Sequence, residues 1–201
     1  MIKVAINGFG RIGRLVFRIM ANDPEFDIVA INDLTDAEQL AYLLKYDTNH
    51  RNYNVDGISF VDNNIVVDGK KIPVYSSMDP SVLPWGELGV DVVFECSGKF
   101  TDKDKASLHI KAGAKKVIIS APAKGDLKTI VYNVNDDILT GEEEVISAAS
   151  CTTNCLAPVL KVINDEFGIE KGYMTTVHAY TNDQVILDVA HKKGIKARRG
   201  R

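Results

Sequence analysis

Apolar and polar positions alternate along this chain at two periods, and the changes of period mark out the predicted elements. Ile2, Val4 and Ile6, with Ala5 among them, form a short apolar strand that stops at Asn7-Gly8. From Arg11 the spacing lengthens, and Ile12, Leu15, Val16 and Ile19 share one face of a helix. Residues 28–31 predict a second strand, and Thr35 opens a helix over 36–44. Between 53 and 75 the period falls to two, in Ile58 and Phe60, Ile65 and Val67, then Ile72 and Val74. Turn residues at Asp62-Asn63-Asn64 and Asp68-Gly69-Lys70 make that stretch an antiparallel insertion. Residues 90–96 are nearly continuously apolar, the pattern of a strand buried on both faces. A helix is predicted over 101–112, with Gly113 just past its end, and strands at 116–119, 130–134 and 145–148. A last helix runs from Cys151 to a stop at Gly168, and a strand over 173–180 then delivers His178.

Strands alternating with helices predict an α/β domain with a doubly wound, mostly parallel sheet of the Rossmann type. The ligand crevice of such a sheet lies beyond the carboxyl ends of its strands, where Gly8, Asp33, Ser97, Ser120 and Cys151 all fall. Gly8, Gly10 and Gly13 match the dinucleotide fingerprint. The first allows a tight turn, the second lets backbone approach a pyrophosphate, and the third permits close helix–strand packing. Asp33, 20 residues after Gly13, stands where an acid accepts hydrogen bonds from an adenosine ribose. A glycine turn alone is a weak signal; a strand before it, a helix after it and this acid make it specific. The domain so defined covers residues 1–149, and residues 150–201 begin a second, α+β catalytic domain.

Composition narrows the class without naming a function. The chain has 201 residues, of which 45% are hydrophobic and 25% charged, ordinary for a folded protein. A net charge of −3 argues against a general nucleic-acid binder. No run approaches the ~18 apolar residues of a membrane span. Three cysteines, an odd number, and no secretory leader indicate a reducing compartment, hence a cytoplasmic protein. The last stretch turns basic, with Lys192, Lys193, Lys196, Arg198, Arg199 and Arg201 and no acid after Asp188. Such a run is a solvated loop, or a contact for phosphate or a neighbouring subunit.

The densest chemistry lies in Ser150-Cys151-Thr152-Thr153-Asn154-Cys155. Cys151 is predicted in the first turn of a helix, where unpaired N–H groups and the dipole favour an anion such as a thiolate. Most cysteines are small buried hydrophobes. The hydroxyls flanking Cys151 count against that reading here, and Cys155, one turn on, suits it better. A lone histidine is most often structural or solvated; near a candidate nucleophile His178 is the candidate base.

The decamer from Ala149 to Pro158 resembles the active-site signature of the phosphorylating glyceraldehyde-3-phosphate dehydrogenase family. The loop Asn7-Gly8-Phe9-Gly10-Arg11-Ile12-Gly13 and the later His178-Ala179-Tyr180-Thr181-Asn182-Asp183-Gln184 are similar to the same family. That resemblance implies NAD as cofactor, glyceraldehyde 3-phosphate and inorganic phosphate as substrates, and a homotetramer at full length. It implies a thioester on Cys151 with His178 as base. It also implies Ser150, Thr152 and Arg199 at the attacking phosphate and Thr181 at the substrate phosphate. Arg11-Ile12 would meet the pyrophosphate, Asp33-Leu34 the adenosine ribose, Met78 the adenine through its backbone, and Ser120 the nicotinamide side. The chain departs from the usual family pattern at Met78, at Arg51, and at Val189-Ala190, where NAD-dependent members carry Leu-Pro.

Three other readings remain. Erythrose-4-phosphate dehydrogenase shares the thiol chemistry but departs from Ala179-Tyr180-Thr181. A metal module built on Cys151, Cys155, His178 and His191 has poor zinc spacing, so no metal is expected. A non-catalytic NAD-binding fragment is the third.

Overall fold

The computed structural model describes residues 1–181, so Arg199, Val189-Ala190 and His191 lie outside the described residues. It divides into two compact units, Met1–Val162 and Ile163 onward. The first holds β1 (Ile2–Asn7), α1 (Arg11–Met20), β2 (Phe26–Asn32) and α2 (Ala37–Lys45). The insertion follows as β3 (Ile58–Val61), β4 (Asn64–Val67) and β5 (Lys70–Tyr75), then α3 (Trp85–Leu88) and β6 (Val92–Glu95). After α4 (Lys103–Ala106) and α5 (Leu108–Lys111) come β7 (Lys116–Ile119), β8 (Lys128–Thr129), β9 (Val145–Ser147) and α6 (Cys151–Phe167).

Among the described residues the strands form one nine-stranded sheet in the order β3-β4-β5-β2-β1-β6-β7-β9-β8. Its central strands are parallel, and only the β3-β4-β5 meander pairs antiparallel, as the period-two stretch predicted. β5 then joins the parallel part by pairing Val74 and Tyr75 with Ile31 and Asn32. The chain leaves β1 toward β2 on one side and reaches β6 on the other, so the order reverses at β1 and opens a crevice there.

Side-chain alternation along β1 builds two cores. Val4 and Ile6 enter one with Phe9, Phe17, Leu40 and Leu44; Ala5 enters the other with Trp85, Val93, Ala106 and Val117. Phe9 is fully buried and meets Phe17 edge to face at 5.5 Å. That pairing is worth about 0.5–1.5 kcal/mol beyond burial, and it anchors the glycine loop to the hydrophobic interior.

Four local expectations need correction. Asp36, not Thr35, caps α2, its Oδ1 accepting from Gln39 N at 2.8 Å. The helix over 101–112 is two short helices. Ser107 sits between them and donates its Oγ to Lys103 O at 2.8 Å, a back-bond that favours a break. No strand forms over 130–134: β8 ends just before it at Thr129, and Asn135 Oδ1 accepts from Val131 N and curls the chain away.

The fourth concerns 173–180, which has no regular structure. A strand is stable only beside neighbours that take its backbone bonds, and no described strand pairs with this segment. In the second unit α6 ends as expected, Gly168 N donating to Asn164 O at 2.9 Å.

Candidate cofactor crevice and candidate thiol

Crowding explains the glycines at the end of β1. Gly8 has φ +90°, and a Cβ there would lie 2.5 Å from Ser97 N. A Cβ on Gly13 would lie 2.1 Å from Gly8 O, so α1 packs against the turn only without one. Gly10 is different: nothing lies within 4 Å of its Cβ position. It precedes α1 without a side-chain cap, so the helix dipole's positive end meets open space. Arg14 holds the loop from below, Nη1 donating to Phe9 O at 2.8 Å.

Asp33 is aimed by backbone on both sides. Its Oδ2 accepts from Phe9 N at 2.7 Å and its Oδ1 from Thr35 N at 2.9 Å. Each carboxylate oxygen keeps a second lone pair for a hydroxyl donor. Asn32 pins the adjoining wall: its Nδ2 donates to Asn7 Oδ1 at 2.7 Å and to Ser77 O at 3.0 Å, and its Oδ1 accepts from Ser77 N at 2.9 Å.

These groups enclose a cavity of about 270 Å³. Of the residues singled out in the sequence, Asn7, Gly8, Gly10, Asp33, Leu34, Met78 and Ser97 line it. Asn32, Ser77, Cys96, Lys99 and Phe100 line it too, without having been singled out. Asn32 could have been found from its place beside Asp33 at a strand end; Phe100 and Lys99 carry no such signal. Gly13 packs beneath. Ile12 is about half exposed at the start of α1. Ser120 lies outside the lining, its Oγ donating to Glu95 O at 3.0 Å. Arg11 pairs instead with Asp47 at 3.1 Å. Asp47's carboxyl is held well below the usual range, first by the backbone N–H of His50, then by that of Asn49 and by Arg11. Cys96 faces the crevice as a thiol, its pKa pushed up to about 11 mainly by burial.

The thiol region is built by a sharp turn from strand to helix. β9 ends at Ser147, Ala149 takes φ +62°, and α6 starts at Cys151, which is exposed. A non-glycine residue in the left-handed region costs on the order of 1 kcal/mol or more, and such outliers cluster at functional sites. Ser150 caps the helix, Oγ accepting from Thr153 N at 2.9 Å. Asn154 Nδ2 clamps the turn by donating to Ala148 O at 2.7 Å and Ser150 O at 2.9 Å. Thr152 follows within the first helical turn. Cys155 is exposed as well, contrary to the buried role it was expected to take. Cys151 belongs to the first compact unit; His178 and Thr181 belong to the second, where His178 Nδ1 donates to Ala179 O. Among the described residues, no group of three or more His, Cys, Asp or Glu is placed to hold a metal.

A parallel sheet with a glycine turn, an open helix N-terminus and an acid after β2 defines a dinucleotide-binding α/β domain. Residues 2–103 match the family model for the glyceraldehyde 3-phosphate dehydrogenase NAD binding domain, and residues 150–201 the model for that family's C-terminal domain. Over 194 residues the chain is 62% identical to glyceraldehyde-3-phosphate dehydrogenase of Clostridium pasteurianum, covering 96% of this chain and 58% of the relative. The enzyme of the same name from Clostridium acetobutylicum is 60% identical over 194 residues, with the same coverage of 96% and 58%. That from Thermotoga maritima is 54% identical over 200 residues, 98% of this chain and 60% of the relative. The chain belongs to the glyceraldehyde 3-phosphate dehydrogenase family, and residues 2–103 lie in its NAD-binding domain. It spans 58–60% of the length of these relatives.

The residues fit the cofactor. Gly10 leaves backbone accessible where a pyrophosphate needs it, and Asp33 presents an acceptor-only carboxylate suited to ribose hydroxyls.

Proposed function

We propose that this chain carries the cofactor site and the nucleophile of a phosphorylating, NAD-dependent glyceraldehyde-3-phosphate dehydrogenase. One observation carries the reading: an exposed cysteine starts α6 on the same sheet whose β1 end carries a dinucleotide turn. The three relatives above, each a glyceraldehyde-3-phosphate dehydrogenase by name, favour the triose phosphate over erythrose 4-phosphate.

Asn7, Gly8, Gly10 and Gly13 seat the dinucleotide backbone, with Arg11 and Ile12 at the helix start beside the pyrophosphate. Asp33 and Leu34 hold the adenosine ribose, Met78 flanks the adenine, and Ser97 and Ser120 bound the nicotinamide side. The nicotinamide supplies a hydride acceptor. Cys151 Sγ, as thiolate, bonds to the aldehyde carbon, favoured by the N-terminal dipole of α6. His178, holding the proton that the thiol gave up, passes it to the carbonyl oxygen as the S–C bond forms and takes it back as that carbon loses a hydride, leaving a thioester on Sγ. An oxygen of inorganic phosphate attacks the acyl carbon, and the S–C bond breaks to return the thiolate. Ser150, Thr152 and Arg199 hold the attacking phosphate and Thr181 the phosphate of the substrate. The domain division at 149/150, a homotetrameric assembly and a cytoplasmic location belong to the same reading. Among the described residues no helix is long and apolar enough to cross a membrane.

The test is Cys151→Ser in the full-length enzyme. Aldehyde oxidation should vanish while NAD affinity stays within about threefold, because Cys151 is not among the residues lining the crevice. Retained turnover would sink the assignment.

A further inference from the structure

Beneath the crevice, polar side chains form a continuous line through the core. Trp85 Nε1 donates to His109 Nδ1 at 2.9 Å, and His109 Nε2 lies 3.0 Å from Glu95 Oε2. Asn7 Nδ2 donates to the same carboxylate oxygen. The other oxygen, Oε1, accepts from Ser97 N at 2.8 Å and from Ser97 Oγ. The side chains of Glu95 and His109 are both 0% exposed.

The donors settle the protonation pattern. An indole N–H only donates, so His109 Nδ1 is the acceptor, the ring's proton sits on Nε2, and that N–H points at Glu95. Glu95 thereby meets four donors, about as many as an ionised carboxylate has lone-pair sites. A protonated acid would bring a donor into a ring of donors. A polar cluster this deep is costly unless every member is satisfied, and an apolar pair would fill the same space.

Its geometry shows what the cluster holds. Glu95 grips the turn at Ser97, whose backbone nitrogen abuts the Cβ position of Gly8. It also fixes the Asn7 amide, whose Oδ1 then faces Asn32 on the next strand. Two walls of the crevice meet on one carboxylate.

We propose that Glu95 and His109 are positioning residues of the cofactor crevice. The histidine, in a fixed tautomer, orients the carboxylate, and the carboxylate fixes Asn7 and the Ser97 turn against Gly8. This rests on the cofactor reading above.

The test is calorimetric titration of the full chain with NAD, at a temperature where circular dichroism shows each variant folded. Glu95→Gln puts an amide N–H among donors, and His109→Leu removes the support; each should weaken NAD binding about tenfold or more. His109→Gln keeps one acceptor and one donor and should restore affinity to within about threefold of wild type. Val93→Ala, a core truncation on the same strand, should lower Tm without moving Kd. Should Glu95→Gln not fold, the His109→Leu and His109→Gln pair decides alone. Wild-type affinity in Glu95→Gln or His109→Leu, or equal weakening in Val93→Ala, overturns the positioning role. Absence of NAD binding in the wild-type chain overturns the cofactor reading, and the positioning role with it.

Discussion

At the crevice, Asn7, Asn32, Glu95 and Ser97 are tied to one another across three adjacent strands, and each hydrogen bond joins residues of the same sheet or its turns. At the thiol, Cys151 is set by the geometry of its own turn, namely left-handed Ala149, the Ser150 cap and the Asn154 clamp. The proposed partners His178 and Thr181 fall in a separate compact unit. Parallel strands meeting at a reversal of order complete a binding site within the sheet. A nucleophile delivered by the same sheet still needs chemistry from elsewhere in the chain.

The largest effect expected along that division is on His178. In the full-length enzyme, His178→Asn should slow single-turnover aldehyde oxidation by roughly 10²–10⁴-fold, the usual worth of a general base. NAD affinity should not change. An unaltered single-turnover rate would remove the proton-transfer role and leave the thiol acting alone.

Gly13→Ala attacks the other side. Its Cβ would sit 2.1 Å from Gly8 O, which belongs to backbone and has little freedom to yield. Overpacking of this kind costs about 1–3 kcal/mol. NAD binding should weaken by about tenfold or more, while iodoacetamide labelling of Cys151 stays at the wild-type rate. Loss of labelling along with binding would show that the two regions are not independent.

Much of the crevice was legible because its signals are local. Glycine spacing, a strand before, a helix after and an acid 20 residues on all sit in one short stretch. The supporting polar cluster was not. Glu95 ends an apolar strand and His109 lies in the short helix α5, and nothing in either neighbourhood announces that they meet. Asn32 stands at a legible strand end, but its partners Asn7 and Ser77, 25 and 45 positions away, do not show locally. The thiol turn was legible as strand-into-helix, but the left-handed Ala149 was not, because alanine gives no sign of such a backbone. The strand expected at 173–180 was read from residue type, yet pairing depends on neighbours that residue type does not reveal.

Cofactor choice offers a subtler probe of the crevice. Asp33 would meet a 2′-phosphate with like charge and no donor, so NAD should be preferred over NADP. Asp33→Ala should shift the ratio of the two affinities toward NADP by about tenfold, equal to ~1.4 kcal/mol. An unchanged ratio would place the discrimination elsewhere.

The smallest effect concerns Cys96. Burial raises its pKa from 9.0 to about 11, so folding favours the neutral thiol. The stability this contributes is full below the unfolded pKa and is lost as pH rises from about 9 through 11. Denaturant titrations across that range should show a smaller alkaline loss in Cys96→Ala than in wild type. Iodoacetamide near neutral pH should also label Cys151 well ahead of Cys96. Parallel alkaline curves for the two proteins would mean that the Cys96 thiol is not held neutral by its surroundings.

The central claim is that the sheet alone builds the cofactor site. The most direct measurement is calorimetric titration of the 201-residue chain with NAD, run beside the same chain carrying Asp33→Ala. Saturable one-site binding that weakens by about tenfold in the variant is the predicted result. Absence of binding in the wild-type chain, or identical affinity in both, would contradict it.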